Sequence, residues 1–195
     1  MRSRRPNADL RAFLIRLPAA LAAAVAVWFL VRPLYNPALC AVAQEIARFG
    51  ERPAASMVVL RDNDALLGRS DLRANSEWLK LPMTQLHFNL VPFLALVLAL
   101  PAPLSGGHWR KLLVALGVLA LSHALGLVWE LKALEALSMG PWSRATYSDL
   151  ARNVYGTLRY FFNIPVTFAL PLVLWVAVYW ERVVALVNLP AMGEA

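Results

Sequence analysis

Long apolar runs without charge constrain this chain more than any other feature. Hydrophobic residues make up 59% of its 195 positions, and ranges such as 86–104 and 112–129 contain no Asp, Glu, Lys or Arg. About 20 consecutive apolar residues are enough for a helix to cross the hydrocarbon core of a bilayer. We therefore predict an all-α integral membrane protein, built as a bundle of four transmembrane helices.

The four predicted transmembrane helices occupy residues 12–34, 86–104, 112–129 and 160–181. On the cytoplasmic side we place a basic tail (1–11), a loop (105–111) and a C-terminal tail (182–195). On the other side lie an extracytoplasmic segment (35–85) and an extracytoplasmic connection (130–159). We interpret the first helix as an uncleaved span, because no small-x-small cleavage site closes its apolar run before Arg32 and Pro33.

The density of basic residues sets the predicted orientation. Ranges 1–16 and 105–111 are short and rich in Arg and Lys, which the positive-inside rule assigns to the cytoplasm. The basic residues of 35–85 are spread over a longer stretch and balanced by acids. We therefore expect a multi-pass protein of the bacterial inner membrane with both termini in the cytoplasm.

The extracytoplasmic segment shows two kinds of pattern. Leu39, Val42, Ile46 and Phe49 have the spacing of an amphipathic helix, which we expect to lie on the membrane surface. The β-prone runs that flank residues 62–64 predict a β-hairpin. Such a hairpin needs a third strand or a packed face, so we expect it to dock on the bundle or on a partner protein.

Trp78, Leu79 and Leu81 provide either that third strand or an anchor at the membrane interface, where Trp is favoured. A four-residue repeat of Leu150, Val154 and Leu158 predicts another surface helix in the second connection.

Two span entrances resemble each other, because Asn89 and Asn163 each follow a Phe and precede an aliphatic residue and a Pro. Asn is a favoured N-cap and Pro a favoured first-turn residue, so the simpler interpretation is two helix starts. The alternative is a polar cluster in which both asparagines meet at the outer mouth of the bundle, near His87, Arg159 and Tyr160.

His123 lies inside the third predicted span, one turn from Gly126. An ionisable group within a membrane is a functional candidate. The simpler interpretation is a neutral histidine that hydrogen-bonds to a neighbouring helix, where small residues allow close approach.

Cys40 and His87 are weak candidates for a thiol nucleophile and its base at the outer face. One Cys and three His give no spacing signature, and Cys40 can instead join an apolar face. We find no phosphate loop, metal-ligand motif or paired carboxylates, so we predict neither a cofactor nor a metal. The net charge is +7, and most of the basic residues flank the apolar runs. This position favours contact with lipid headgroups over binding of nucleic acid.

The chain resembles the exosortase H-associated membrane proteins of Gram-negative bacteria. The shared features are a first span that ends at residues 28–33, a β-prone external segment, the stretch 87–92 and the last span around 169–175. The resemblance implies a protein that accompanies an exosortase, a membrane transpeptidase of protein sorting, without carrying out the cysteine chemistry itself.

Two hypotheses follow from these features. The first is a non-enzymatic accessory or assembly subunit that packs in the lipid bilayer against another membrane protein, in this case an exosortase. The second is a membrane enzyme that uses Cys40 and His87. A small-molecule transporter component is a weaker third possibility, because the chain shows no inverted repeat and no paired charges within its spans.

Overall fold

A computed structural model describes residues 8–49, 51, 53–71 and 78–187 of the chain. It is mostly helical and contains one small antiparallel sheet. The helices are α1 (Ala8–Arg48), α2 (Met83–His87), α3 (Leu90–Ala99), α4 (His108–Leu137), α5 (Pro141–Thr146), α6 (Asp149–Phe161), α7 (Thr167–Val178) and α8 (Trp180–Val187). The strands are β1 (Ser56–Arg61), β2 (Asp64–Arg69) and β3 (Leu79–Pro82).

Within the described part of the chain, three helical stretches are long and apolar enough to cross a membrane: Asp9–Arg48, Ser105–Leu137 and Asp149–Val178. They indicate a multi-pass membrane protein. The region predicted as the second span holds a shorter apolar stretch, Met83–Ala99, which is broken by a turn at Phe88 and Asn89. Pro92 fits the first turn of α3, and Leu100 leaves the helix just before Pro101, as the proline positions predict.

Helix α1 is longer than the sequence predicts. The amphipathic helix expected at Leu39–Phe49 is not a separate element on the membrane surface, because it continues α1 without a break through Pro33 and Pro37. Leu39, Ala43 and Ala47 are buried against the sheet and α4, whereas Val42 and Phe49 of the predicted apolar face are exposed. Burial on that surface explains why this stretch packs on protein instead of lipid.

The predicted hairpin and its third strand are both present. Strand β1 pairs with β2, and β2 with β3, in an antiparallel sheet of order β1–β2–β3. The hairpin loop has two residues, and its Asp62 adopts a left-handed conformation with φ 57°, which Asp tolerates better than most residues. The inner face of the sheet, which includes Val58, Ala65 and Leu67, is buried on α1 and α4.

The described residues form three apolar clusters, and the two larger ones divide the bundle along its length. One joins the C-terminal half of α1, the sheet and the second half of α4, and we call it the sheet-end core. The other joins the start of α1, α3, the first half of α4, α7 and α8. Phe13 and Leu186 both belong to this second cluster, so the two ends of the described chain lie at the end of the bundle opposite the sheet.

Helices α6 and α7 form one continuous run through a π-helical turn, Phe162–Val166. The repeat predicted as a separate surface helix is the first part of this run. Its Leu150 is 75% exposed, and Val154 is also exposed. Leu158, the third residue of the repeat, is half-buried, so the apolar stripe of α6 is exposed only at its first two positions.

Candidate functional site

A chain of hydrogen bonds crosses the middle of the bundle. The hydroxyl of Tyr35 on α1 lies 2.7 Å from Nδ1 of His123 on α4, and Nε2 of His123 lies 2.6 Å from Oδ1 of Asn89. The amide of Asn89 donates in turn to the carbonyl of Thr167 at the start of α7, at 3.2 Å. Four packed segments are therefore joined through one imidazole.

The donors and acceptors of this hydrogen-bond chain define the protonation state of His123. Since the Asn89 amide nitrogen donates to a carbonyl, its Oδ1 is left as an acceptor, and Nε2 of His123 must donate to it. Nδ1 is then the acceptor for the Tyr35 hydroxyl. A neutral His123 satisfies every member, as the helix-to-helix interpretation of this residue predicts.

His87 lies beside this chain and is fully buried. Its Nδ1 accepts a hydrogen bond from the indole of Trp28 at 2.9 Å, and its ring contacts the rings of Tyr35 and His123. Indole nitrogen can only donate, so the neutral ring of His87 carries its proton on Nε2. Within the described residues, that Nε2 has no hydrogen-bond partner.

Asn163 belongs to a different cluster. Its amide and Nε of Arg159 both donate to the buried carboxylate of Glu130 on α4, and the Arg159 contact is 2.9 Å long. Glu130 and His123 are seven residues apart, so they lie on one face of α4 and receive Asn163 and Asn89 separately. The alternative of a single polar cluster that contains both asparagines is therefore wrong.

The interpretation as two helix starts is correct in position for Asn89, which stands at the N-cap of α3, and wrong for Asn163. Asn89 precedes α3 but makes no side-chain cap hydrogen bond, and Asn163 lies inside the π-helical turn. Each side-chain amide pairs instead with a buried donor or acceptor on α4. A polar group surrounded by apolar residues needs such a hydrogen bond more than a helix end needs a cap. The π-helical turn places Asn163 and Arg159 on the same carboxylate, and such turns are frequent at functional positions.

A buried ionic network attaches the sheet to α4. Its centre is Glu135, which is 0% exposed. Glu135 accepts from Ser56 at 2.6 Å, from Lys132 at 3.0 Å and from Tyr147 at 3.0 Å, and it lies 3.4 Å from Arg69. Glu51 joins the network by accepting from Lys132 and from the backbone N–H of Ser56 at 3.1 Å.

Charges in this network compensate each other. Two carboxylates, Glu51 and Glu135, face two cations, Arg69 and Lys132, and Arg69 also forms a two-pronged pair with the more exposed Asp71 at 2.9 Å. Paired and hydrogen-bonded charges are the form in which ions tolerate burial. The network therefore fixes the orientation of the sheet on the bundle.

The pKa shifts outside the spans agree with this pairing. Burial raises the pKa of Glu51, but hydrogen bonds from Lys132 and Ser56 outweigh it, so the net shift is downward. The hydrogen bond from Arg69 lowers the pKa of Asp71. Burial, followed by the charge of Glu135, raises the pKa of Tyr147, which keeps that phenol neutral as a donor.

A cavity of about 340 Å³ adjoins the network. Glu51, Arg69 and Lys132 line it together with Trp142, whose ring lies 4.7 Å from the guanidinium carbon of Arg69. Every charged group named here is already paired inside the network. The charged groups that line the cavity therefore serve to attach the sheet to α4.

Cys40 does not pair with His87. Its thiol is 3% exposed and lies 4.0 Å from the sulfur of Met83, within the sheet-end core. No hydrogen bond joins Cys40 to His87 in the described ranges, where His87 is bonded to Trp28. The geometry therefore gives the thiol an apolar packing role.

Trp78 lies on the outer face of the sheet. A Cβ added at Gly68 would come within 2.9 Å of its indole, so the ring packs directly on β2 at a position where only glycine leaves room. Trp78 thus covers the sheet itself and is not inserted into the core of the bundle.

The sequence reasoning missed the ionic network. Its members come from residues 51, 69, 132 and 135, and only the i, i+3 spacing of Lys132 and Glu135 is visible locally. The described residues contain no group of three or more His, Cys, Asp or Glu arranged to hold a metal ion.

No protein-family model, curated protein or solved structure matches this chain. The structure itself shows three long apolar helices and a three-stranded antiparallel sheet docked at one end of them. Function is therefore inferred from the contacts within the chain.

Proposed function

We propose that this protein is a non-enzymatic accessory subunit of the bacterial inner membrane, which binds another membrane protein through its extracytoplasmic sheet. Met83–Ala99 is the fourth membrane-crossing segment of this arrangement, tilted or set in a locally thinned bilayer because it is short. The partner in this proposal is an exosortase, in keeping with the sequence resemblance.

The observation that carries the proposal is a sheet with two apolar faces. Side chains alternate along a strand, so Met57, Val59 and Leu66 lie on the face opposite the buried one, together with Trp78. Val59 is 39% exposed, and the other three are partly exposed. A sheet that is already docked on one side has no intramolecular reason to keep an apolar second side.

The position of that face favours protein over lipid as its cover. The inner face of the sheet packs on the ends of α1 and α4, so the outer face is turned away from the helices. Charged Arg61 and Lys80 accompany the apolar residues on it, and both are exposed. A mixed apolar and charged surface is typical of a protein interface, with an aromatic residue at its centre.

The proposed orientation rests on the opposite end of the bundle. Arg16, Arg110, Lys111 and Arg182 cluster toward the end that lacks the sheet, where Phe13 and Leu186 share a core. Arg182 donates to the carbonyls of Pro101 and Ala102, which tightens the connection between α3 and α4. By the positive-inside rule, this end faces the cytoplasm and the sheet faces outward.

Co-purification in mild detergent tests the proposal, using the full chain expressed in its native membrane. We expect the wild-type protein to bring down one membrane protein in stoichiometric amount. The Val59→Gln variant should lose most of that partner, because it places an amide at the centre of the apolar face.

Val42→Gln is the matched control, since it makes the same substitution at an exposed valine of α1, which lies outside the outer face of the sheet. We expect it to retain the partner. A wild-type protein that purifies alone, or equal partner recovery in both variants, contradicts the proposal.

A further inference from the structure

An apolar cavity of about 420 Å³ lies between α1, α3 and α4. Its wall is mostly aliphatic and includes Val27, Leu94 and Leu116, while Arg32 and His87 lie at one end. The volume falls within the range of ligand-binding cavities, which are mostly apolar with a few polar groups at defined places.

Arg32 is the unusual member of this wall. Its guanidinium carbon lies 4.7 Å from the ring centroid of Trp28 and 5.5 Å from that of Phe29. Within the described residues, none of the ion pairs includes Arg32, and its Nε is buried without a hydrogen-bond partner. A guanidinium among apolar walls is costly unless an anion or the interface compensates it.

The depth of Arg32 places it near the outer headgroup region. Arg16 and Arg32 are separated by 16 residues of one helix, which corresponds to about 24 Å at 1.5 Å per residue. That distance is close to the thickness of the hydrocarbon core, about 30 Å. With Arg16 toward the cytoplasmic side, Arg32 lies at the boundary of the outer leaflet.

We infer that this cavity binds an anionic phospholipid of the outer leaflet, with its phosphate at Arg32 and an acyl chain between α1, α3 and α4. The guanidinium offers several N–H donors to a phosphate, and its charge matches the headgroup. Val27, Leu94 and Leu116 continue the cavity away from Arg32 and match the chain by their apolarity.

His87 lies at the same end, but its unpaired N–H is enclosed by protein and does not open into the cavity. The Trp28 indole occupies its Nδ1, so the proton on the neutral ring is at Nε2, which has no partner in the described chain. His87 and Arg32 both line the cavity. The partly exposed guanidinium of Arg32 is therefore the group at this end that a phosphate can reach.

Gly117 makes the cavity testable. It lies on the wall, and a Cβ added there would meet nothing within 4 Å. A leucine at this position extends into the space of the acyl chain without displacing a neighbouring helix. Replacing a helical glycine also favours the helix itself.

Native mass spectrometry of the full chain tests the inference. The protein is reconstituted in vesicles of phosphatidylcholine with a minority of phosphatidylglycerol, then extracted in mild detergent and measured with its retained lipid. We expect one retained lipid, with phosphatidylglycerol enriched about fivefold over its share in the vesicles, as one arginine at the surface contributes about 1 kcal/mol.

Arg32→Gln should remove the preference for phosphatidylglycerol, and Gly117→Leu should remove retention of either lipid. Arg16→Gln and Val118→Leu are the matched controls, because both sites are exposed and neither lines the cavity. Both controls should behave as the wild type does.

Three results would overturn the inference. The first is retention in proportion to vesicle composition, which indicates annular lipid only. The second is an equal loss of preference in Arg32→Gln and Arg16→Gln. The third is displacement of bound phosphatidylglycerol by soluble glycerol phosphate, which indicates a phosphate site that does not hold a lipid chain.

Discussion

Ser56 on β1 donates a hydrogen bond of 2.6 Å to Glu135 on α4, across 79 positions of sequence. Arg69 and Lys132 meet the same carboxylate. This contact makes the sheet and the bundle one unit, and the proposed partner surface depends on it.

Removal of the Glu135 charge should destabilise the protein strongly. Glu135→Gln leaves Arg69 and Lys132 buried with one fewer counter-charge, and breaking a buried pair costs about 3–5 kcal/mol. We expect a large drop in the thermal unfolding midpoint in detergent and faster proteolysis of residues 57–71. Glu45→Gln, at a carboxylate that is 75% exposed, should change the midpoint little.

Acid should loosen the sheet. The pKa of Glu51 is lowered in the folded protein, so its stabilising contribution is complete at neutral pH and is lost as the pH falls below about 4.3, the unfolded value, and through the lower folded value. In Lys132→Gln the main hydrogen bond to Glu51 is absent, and the acid transition should move to higher pH. Lys80→Gln, at an exposed lysine, should leave the transition unchanged; equal shifts in both variants would contradict this explanation.

The hydroxyl of Tyr35 should matter more than its ring. Tyr35→Phe leaves Nδ1 of His123 without its donor, and an unpaired buried acceptor costs about 1–3 kcal/mol. We expect a lower unfolding midpoint for Tyr35→Phe and none of that loss for Tyr160→Phe, since Tyr160 is 65% exposed. Equal midpoints for the two variants would show that the hydrogen-bond chain adds nothing to stability.

Cys40 should react slowly in the folded protein. Its burial against Met83 shields the thiol, and we expect modification by a membrane-permeant maleimide only after denaturation. Cys40→Ala should retain partner binding, because the residue packs in the sheet-end core. Rapid labelling of the native protein, or loss of the partner in Cys40→Ala, would support a chemical role for the thiol.

The sequence predicted the features that depend on local pattern. Apolar runs predicted the long helices, and the β-prone runs around Asp62 and Asn63 predicted the hairpin, because period and turn chemistry are written in neighbouring residues. The third strand at Leu79–Pro82 was one of two predicted alternatives for its segment. The length of α1 was not predicted. Prolines inside a membrane helix are tolerated when neighbouring segments satisfy the freed backbone groups, and local sequence does not reveal those neighbours.

The candidate site depended on distant partners and was predicted only in part. The helix-to-helix bonding of His123 followed from its position among small residues. Asn89 and Asn163 occur in similar local sequences, yet one binds His123 and the other Glu130. Which partner each side-chain amide reaches is decided by helix packing, so the shared local motif misled the interpretation.

Photo-crosslinking in intact membranes tests the accessory role most directly. A photoreactive amino acid at position 59, on the outer face of the sheet, is compared with one at position 113, an exposed apolar position on α4. We expect a single discrete protein adduct from position 59 and no such adduct from position 113. The absence of a protein adduct at position 59, in cells that express the protein at its natural level, would contradict the proposal that the sheet binds a membrane partner.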